Sequence, residues 1–317
     1  MTKQIITYSP AYTLVPTYEC FNRCSYCNFR TDPLKNQWLQ LTEAEKILKN
    51  LKTQEITEIL ILSGEVHPQS SRRKLWFNHI YNLAHLAVNQ GFFPHSNVGP
   101  LSFQEMAKFK EVNVSMGLML EQLSPKLLDT VHRRAPSKHP EIRLQQLIWA
   151  GKLKIPFTTG ILLGIGENKQ DRIESLKAIA EIHSQWRHIQ EVILQPYSVG
   201  AKEELLAENF NAKEMLATVA IAREILPDDI TIQVPPNLVK DRQLLLECLA
   251  LGCRDLGGIV PKDEVNPDYH HDNLLNLQEF LAHYDWQLQQ RLPVYPHYYS
   301  WVNDLLQKCY KRAKLTM

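Results

Sequence analysis

The sequence predicts an α/β protein of the (β/α)8, TIM-barrel type with a C-terminal helical extension. Eight short runs of β-branched or apolar residues alternate with longer segments of helical period, and no repeat or flexible linker divides the chain. The predicted strands are Tyr12–Thr17, Glu58–Ser63, Phe92–Asn97, Val112–Leu118, Phe157–Leu163, Glu191–Pro196, Ile230–Val234 and Leu256–Val260. The predicted helices between them include Thr42–Thr53, Arg72–Gln90, Glu141–Gly151, Asn168–Ser184, Ala212–Leu226 and Leu238–Leu251.

The chain is predicted to divide into a barrel, residues 1–262, and an extension, residues 263–317. After Pro261 the pattern changes to polar turns around Asn266-Pro267, and two further helices are predicted at Asn273–Gln290 and Ser300–Lys314. We expect this extension to pack on the barrel.

Charge and hydropathy exclude several classes of function. The 317 residues carry 35 Lys and Arg against 34 Asp and Glu, a net charge of +1 that offers no basic surface for a nucleic acid. No stretch reaches about 18 consecutive apolar residues, and no apolar signal segment follows the N-terminal residues. We therefore expect a cytoplasmic protein that binds neither nucleic acid nor membrane.

Three of the six cysteines form a candidate site for a metal centre. Cys20, Cys24 and Cys27 fall within eight residues after the first predicted strand, whereas the other three cysteines are scattered and read as small buried residues. Soft thiolates select zinc, copper(I) or iron–sulfur centres. Zinc would need a fourth ligand, for which His67 is a candidate. A 4Fe-4S cluster held by three cysteines instead leaves one iron open to a small molecule.

The Cys-xxx-Cys-xx-Cys spacing, with Tyr26 before the last cysteine, resembles the signature of the radical S-adenosylmethionine (SAM) superfamily. Three further segments are similar to superfamily motifs: Ser63-Gly64-Glu65, the run from Ser115 to Glu121, and the glycine-rich run from Gly160 to Glu167. The resemblance implies a 4Fe-4S cluster on the three cysteines and SAM as the second cofactor. Reductive cleavage of SAM at the open iron would then yield a 5′-deoxyadenosyl radical.

The same resemblance implies which residues contact SAM. Glu65 would receive the methionine ammonium, Leu162 would pack on the adenine, and Glu121 or Ser115 would bind the ribose. Arg133 or Arg134 would face the methionine carboxylate. The full set of implied SAM contacts is Tyr26, Ser63, Gly64, Glu65, Ser115, Glu121, Arg134, Leu162 and Gly164.

Within the superfamily, several runs resemble the family of the first, cyclising subunit of 7,8-didemethyl-8-hydroxy-5-deazariboflavin synthase. These runs are Ser63–Pro68, Ser96–Pro100, Asn113–Glu121, Gln233–Leu238, Asp255–Pro261 and Asp263–Pro267. The sixth strand departs from the family pattern at Gln195-Pro-Tyr197, where we expect an Asn-Phe pair.

The family resemblance implies a reaction and its partners. The substrate would be the adduct of a tyrosine-derived hydroxybenzyl group with ribitylaminouracil, which this subunit would cyclise with loss of ammonia. A second synthase subunit would supply the adduct, and a reductant such as flavodoxin or ferredoxin would supply electrons.

Polar residues at strand ends are the candidate substrate contacts, because chemistry in such barrels lies at the carboxyl ends of the strands. They are Asn97, Gln195, Tyr197, Gln233, Asn237 and Asp255. His67, His95, His132 and His139 are interpreted as structural or surface residues. Two alternatives remain open: another radical SAM enzyme, such as the tyrosine-cleaving subunit or a menaquinone-pathway enzyme, and a non-enzymatic zinc or iron–sulfur module.

Overall fold

A computed structural model describes residues 3–202, 204–205 and 207–314, with side chains up to residue 312, and confirms the predicted barrel. Eight parallel strands follow one another in the order β2-β3-β4-β5-β6-β7-β8-β1, and β1 pairs with β2 to close the sheet. The strands are β1 (Gln4–Leu14), β2 (Glu58–Leu62), β3 (Phe93–Asn97), β4 (Ser115–Gly117), β5 (Phe157–Leu163), β6 (Ile189–Pro196), β7 (Thr231–Gln233) and β8 (Asp255–Ile259).

The helices lie between successive strands and pack their apolar faces on the outside of the barrel. They are α1 (Leu41–Leu51), α2 (Arg73–Asn89), α3 (Phe103–Phe109), α4 (Lys126–Asp129), α5 (Pro140–Lys152), α6 (Lys169–Trp186), α7 (Ala212–Ile225) and α8 (Arg242–Ala250). Buried residues such as Trp76, Ile80 and Leu83 of α2 join the main core with Ile59 and Ile61 of β2. None of the helices that the structure describes is long and apolar enough to cross a membrane.

The C-terminal segment corrects the prediction of a single helix over Asn273–Gln290. Helix α9 (Leu274–His283) ends early, and Asp285, with a φ of 62°, turns the chain into a ninth strand, β9 (Trp286–Gln290). This strand lies parallel to residues Gln4–Tyr8 of β1, which is why β1 begins well before the predicted Tyr12. Backbone pairing with a distant segment has overridden the local helical pattern.

The rest of the extension runs back across the barrel. A 3-10 helix (Pro296–Trp301) leads into α10 (Asn303–Lys314), and Val294, Tyr298 and Leu306 form a second apolar cluster with Phe93 and Val114. Residues 1–2 of the predicted barrel and residues 315–317 of the predicted extension lie outside the described residues.

Arg291, directly after β9, closes the amino-terminal end of the barrel. Its Nε and Nη2 donate to the two carboxylate oxygens of Asp255 at 2.5 and 2.7 Å, and Nη2 also donates to Glu191 Oε1 at 2.9 Å. The side chains of all three residues are less than 10% exposed. A buried guanidinium between two buried carboxylates compensates charges that would otherwise be costly to desolvate.

We expect Arg291→Met to lower the free energy of unfolding by about 3–5 kcal/mol, because it leaves the buried Asp255 carboxylate without its compensating charge. Urea denaturation followed by circular dichroism measures this change. The matched control is Lys49→Met, which removes an exposed ion pair with Glu45 and should change stability by less than about 1 kcal/mol. Equal destabilisation by the two variants would contradict a structural role for the Arg291 network.

Candidate functional site

The three-cysteine loop leaves the carboxyl end of β1 and is held by backbone hydrogen bonds to neighbouring loops. Phe21 N donates to Glu65 O at 3.0 Å, Arg23 N to Arg134 O at 2.7 Å, and Ser25 N to Val131 O at 3.1 Å. The loops that follow β2 and β4 therefore position the cysteines, and all three cysteines line one cavity.

Gly64 allows the loop after β2 to approach this cysteine loop. Its N–H donates to Thr17 O at 2.8 Å, and a Cβ at this position would lie 2.1 Å from Glu19 O. Ser63, its neighbour, is used within the fold: its hydroxyl donates to Gly64 O at 2.9 Å, and the Trp76 indole N–H lies 3.2 Å from it. The requirement for glycine is therefore steric, since no side chain fits between the loops.

The thiols are suited to a cationic centre. Burial raises the pKa of the Cys20 thiol to about 11 and that of Cys24 to about 12. Binding of a positively charged metal core would favour the thiolate form and release protons. Three cysteine donors, with no fourth cysteine in this loop, fit a 4Fe-4S cluster with one open iron. In the part of the chain that the structure describes, no three or more Cys, His, Asp or Glu side chains are arranged to hold a single metal ion.

The cysteines open into an upper cavity at the carboxyl ends of the strands. Among the residues predicted to contact SAM, the cavity is lined by Tyr26, Ser63, Gly64, Glu65, Glu121 and Leu162. Its lining also includes three predicted substrate contacts, Asn97, Gln195 and Tyr197.

Three cations that the sequence analysis did not single out also line the upper cavity: Arg30, Lys138 and Arg143. Lys138 Nζ donates to Glu121 Oε1, and Arg143 is held by Ser137 O at 2.8 Å and Met119 O at 3.1 Å. Burial acts to raise the pKa of Glu121, but Lys138 and Arg143 outweigh it and leave that pKa below its usual value. Glu121 is therefore a carboxylate acceptor at neutral pH.

One N–H group of Arg143, at Nη2, makes no hydrogen bond to the described residues. This Nη2 is buried, and it lies 3.5 Å from Glu65 Oε1. A buried guanidinium N–H without a partner is costly, so this end of the cavity is suited to an additional acceptor.

One wall of the upper cavity is apolar. Leu162 and Tyr197 pack in a small cluster with Val131 and Ile165, and Tyr26 lies against them. The Tyr26 hydroxyl is 2.9 Å from His132 Nε2, and burial lowers the pKa of His132 to about 4, so this imidazole is neutral at physiological pH. This wall offers a flat apolar surface beside the polar carboxylates.

Three residues predicted to contact SAM lie outside the lining of this cavity. Arg134 is paired with Glu204 at an exposed position, because the segment after α4 turns its side chain outward. Ser115 lies at the start of β4, near the opposite end of the barrel, and bonds to His95 and Pro293. Gly164, with a φ of 93°, forms the turn after β5, where its N–H donates to Glu167 at 2.8 Å.

A lower cavity occupies the bore of the barrel. It adjoins the upper cavity, and both are lined by Leu62, Asn97, Leu118, Met119, Gln195, Val265 and Asn266. Its deeper wall is polar and includes Glu58, His95, Thr158, Gln190, Glu191, Gln233 and Arg291. Burial and the neighbouring Asp255 raise the pKa of Glu191, although Arg291 acts in the opposite direction.

Two of the three remaining predicted substrate contacts, Gln233 and Asn237, line this bore at different depths, and Asp255 does not line it. Gln233 lines it, and with its amide oriented to donate, it reaches both Glu191 oxygens at 3.1 and 3.2 Å. Asn237 lines the mouth, where its amide donates to Asp263 at 2.8 Å and to Tyr269 O at 3.1 Å. Asp255 is fully buried outside the lining, with its oxygens bound to Arg291.

The comparisons with known proteins agree with the cysteine motif. The family model of the radical SAM superfamily matches residues 14–179. Two curated relatives named 7,8-didemethyl-8-hydroxy-5-deazariboflavin synthase are each 60% identical to this chain. One, from Trichormus variabilis, is aligned over 98% of this chain and 92% of its own length. The other, from Synechocystis, is aligned over 96% and 97%.

Solved structures support the fold. The FeFe-hydrogenase maturase HydG from Carboxydothermus hydrogenoformans matches with a TM-score of 0.70 at 18% identity, covering 97% of this chain and 76% of that one. Methylornithine synthase (PylB) matches with a TM-score of 0.68 at 14% identity, covering 91% and 84%.

Family membership implies that a 4Fe-4S cluster and SAM are the cofactors, and the three cysteines and the cavity beside them fit both. The match over nearly the full chain confirms the resemblance inferred from the motifs. The chain belongs to the radical SAM superfamily and, within it, to the 7,8-didemethyl-8-hydroxy-5-deazariboflavin synthase family.

Proposed function

We propose that this chain is the cyclising subunit of a deazariboflavin synthase. It would convert 5-amino-5-(4-hydroxybenzyl)-6-(D-ribitylimino)uracil to 7,8-didemethyl-8-hydroxy-5-deazariboflavin with loss of ammonia. The observation that carries the proposal is the 60% identity, over nearly the whole chain, to relatives of that name. The two adjoining cavities support it, because the reaction needs SAM and a large polar substrate side by side.

The upper cavity would hold the cofactors. Cys20, Cys24 and Cys27 would hold the cluster, Glu65 the methionine ammonium, and Arg143 Nη2 the methionine carboxylate in place of Arg134. Glu121 would accept from a ribose hydroxyl, while Leu162 and Tyr26 would form the apolar wall beside the adenine. When bound, the cluster and SAM supply a 5′-deoxyadenosyl radical that removes a hydrogen atom from the substrate.

The lower cavity would hold the adduct. Its amide and carboxyl groups, among them Gln190, Glu191 and Gln233, suit a uracil ring and ribityl hydroxyls that both donate and accept hydrogen bonds. Asn97 and Gln195 line both cavities and would contact the substrate where it meets the cofactor. The residues here chiefly orient the substrate and exclude water, since a radical attacks the nearest C–H bond.

Two partners belong to the same proposal. A second synthase subunit would supply the adduct, and a flavodoxin or ferredoxin would reduce the cluster. We place the reaction in the cytoplasm, because a reducing compartment keeps the sparse cysteines available as thiols and metal ligands.

The direct test is to mix the anaerobically reconstituted chain with the synthetic adduct, SAM and a reductant. We expect deazaflavin fluorescence and release of ammonia with SAM cleavage. Turnover of tyrosine and ribitylaminouracil without turnover of the adduct would assign the chain to the other subunit. Iron–sulfur loading without SAM cleavage would favour an electron-transfer module, and zinc binding without iron would favour a zinc protein.

We expect Cys24→Ala to bind fewer irons than the roughly four of a complete cluster and to abolish SAM cleavage, because one iron loses its ligand. Iron and sulfide analysis after anaerobic reconstitution measures this. The matched control is Cys309→Ala, a buried thiol that packs against apolar residues, which should retain full iron content. Full loading of Cys24→Ala would refute the ligand set.

Measurements of SAM affinity distinguish whether Arg143 or Arg134 contacts the methionine carboxylate. Arg143→Lys should weaken SAM binding ten- to a hundredfold, because a charged hydrogen bond contributes about 1.5–3 kcal/mol. Arg134→Met should leave SAM affinity unchanged. Equilibrium dialysis with the reconstituted protein measures both, and weakening only in Arg134→Met would restore the assignment made from the sequence.

A further inference from the structure

His95 is a buried histidine of the barrel bore whose two ring nitrogens have different environments. It lies on β3, is 8% exposed and lines the lower cavity. Its Nδ1 is 2.7 Å from Ser115 Oγ. For Nε2, no donor or acceptor is found among the residues that the structure describes, and it lies beside Gly117, which also lines the cavity.

Ser115 determines which nitrogen of His95 carries the proton. Ser115 Oγ lies 2.5 Å from the carbonyl oxygen of Pro293, a separation that requires a hydrogen between the two oxygens. A carbonyl cannot donate, so the single hydroxyl hydrogen belongs to that bond. Ser115 Oγ must therefore accept from His95, which places the ring proton on Nδ1 and a lone pair on Nε2.

Gly117 keeps the space next to that lone pair open. A Cβ at residue 117 would lie 2.8 Å from His95 Nε2, so a side chain there would crowd the nitrogen. Gln190 supports the same arrangement from the other side by donating to Pro293 O at 3.0 Å. The bore thus holds a buried acceptor with fixed orientation, to which no residue in the described part of the chain donates.

We propose that His95 Nε2 binds the substrate by accepting a hydrogen bond from an N–H of its uracil ring, and that Ser115 is the positioning residue that holds the required tautomer. This inference rests on the proposed function. It places the uracil ring at the end of the bore opposite the cysteine loop. The ribityl hydroxyls and the hydroxybenzyl group then extend toward the cofactor cavity and the mouth.

The imidazole acts here as an acceptor and not as a base. Burial and the nearby Arg291 lower the pKa of His95 to about 3, so the ring does not hold a second proton near neutral pH. Glu58 and Glu191 line the same deep wall, and burial raises the pKa values of both carboxyl groups. A neutral N–H donor fits this surface.

Two substitutions distinguish the contact of Nδ1 with Ser115 from the proposed contact of Nε2 with the substrate. In His95→Asn, the amide nitrogen can still donate to Ser115 but the acceptor at Nε2 is lost, so the KM for the adduct should rise about tenfold while the KM for SAM is unchanged. In His95→Gln, the amide oxygen reaches the position of Nε2, and the KM for the adduct should stay within about threefold of wild type. Steady-state kinetics with the reconstituted holoenzyme measures both constants.

The tautomer is tested independently of activity. Long-range ¹H–¹⁵N correlation spectra of histidine-labelled protein should show the proton of His95 on Nδ1, and Ser115→Ala should shift the ring toward the Nε2–H form. An unchanged adduct KM in folded His95→Asn, or a proton on Nε2 in the wild type, would overturn the inference. Failure of the wild-type protein to convert the adduct would instead refute the proposed function, so the two failures are distinguishable.

Discussion

The buried ion pair between Arg291 and Asp255 is the contact on which the interior of the barrel depends. It ties the segment after β9 to the start of β8 and extends through the same guanidinium to Glu191 on β6. Because the barrel bore contains several carboxyl groups, one buried cation is needed to keep their desolvation from opposing the fold. The same contact positions Pro293 next to β4. The carbonyl of Pro293 accepts a hydrogen bond from Ser115, and Ser115 in turn contacts His95.

The opposite end of the barrel is organised by backbone contacts. The cysteine loop has little regular structure of its own, and the N–H groups of Phe21, Arg23 and Ser25 donate to carbonyls from the loops after β2 and β4. Buried backbone groups must be paired, so these contacts bring the cysteines, Glu65 and the segment that carries Lys138 and Arg143 to a single cavity. The charges at this cavity are of both signs, as a zwitterionic cofactor requires.

The two ends thus perform different tasks within one cylinder. The upper cavity is lined by thiols, three cations and an apolar wall, whereas the deeper wall of the lower one consists mainly of amide and carboxyl groups. Asn97 and Gln195 lie where they meet. An arrangement of this kind suits a reaction in which a small reactive species must meet one C–H bond of a larger polar molecule without solvent.

The sequence by itself determined the features that depend on local spacing: eight strand–helix units, the three-cysteine loop, and polar residues at the carboxyl ends of strands such as Asn97 and Gln233. Asp255, predicted to be among them, lies instead at the amino end of β8. The sequence did not determine which side chains meet across long separations. Arg143 rather than Arg134 lines the cavity because α5 places its fourth residue, Arg143, next to Met119 and Glu65, and spacing within one loop does not encode that placement. Ser115 bonds to a carbonyl 178 residues away, and β9 forms only because β1 offers it a partner. Such contacts are decided by tertiary packing, since the free energy that favours them comes from burial and pairing that exist only in the closed barrel.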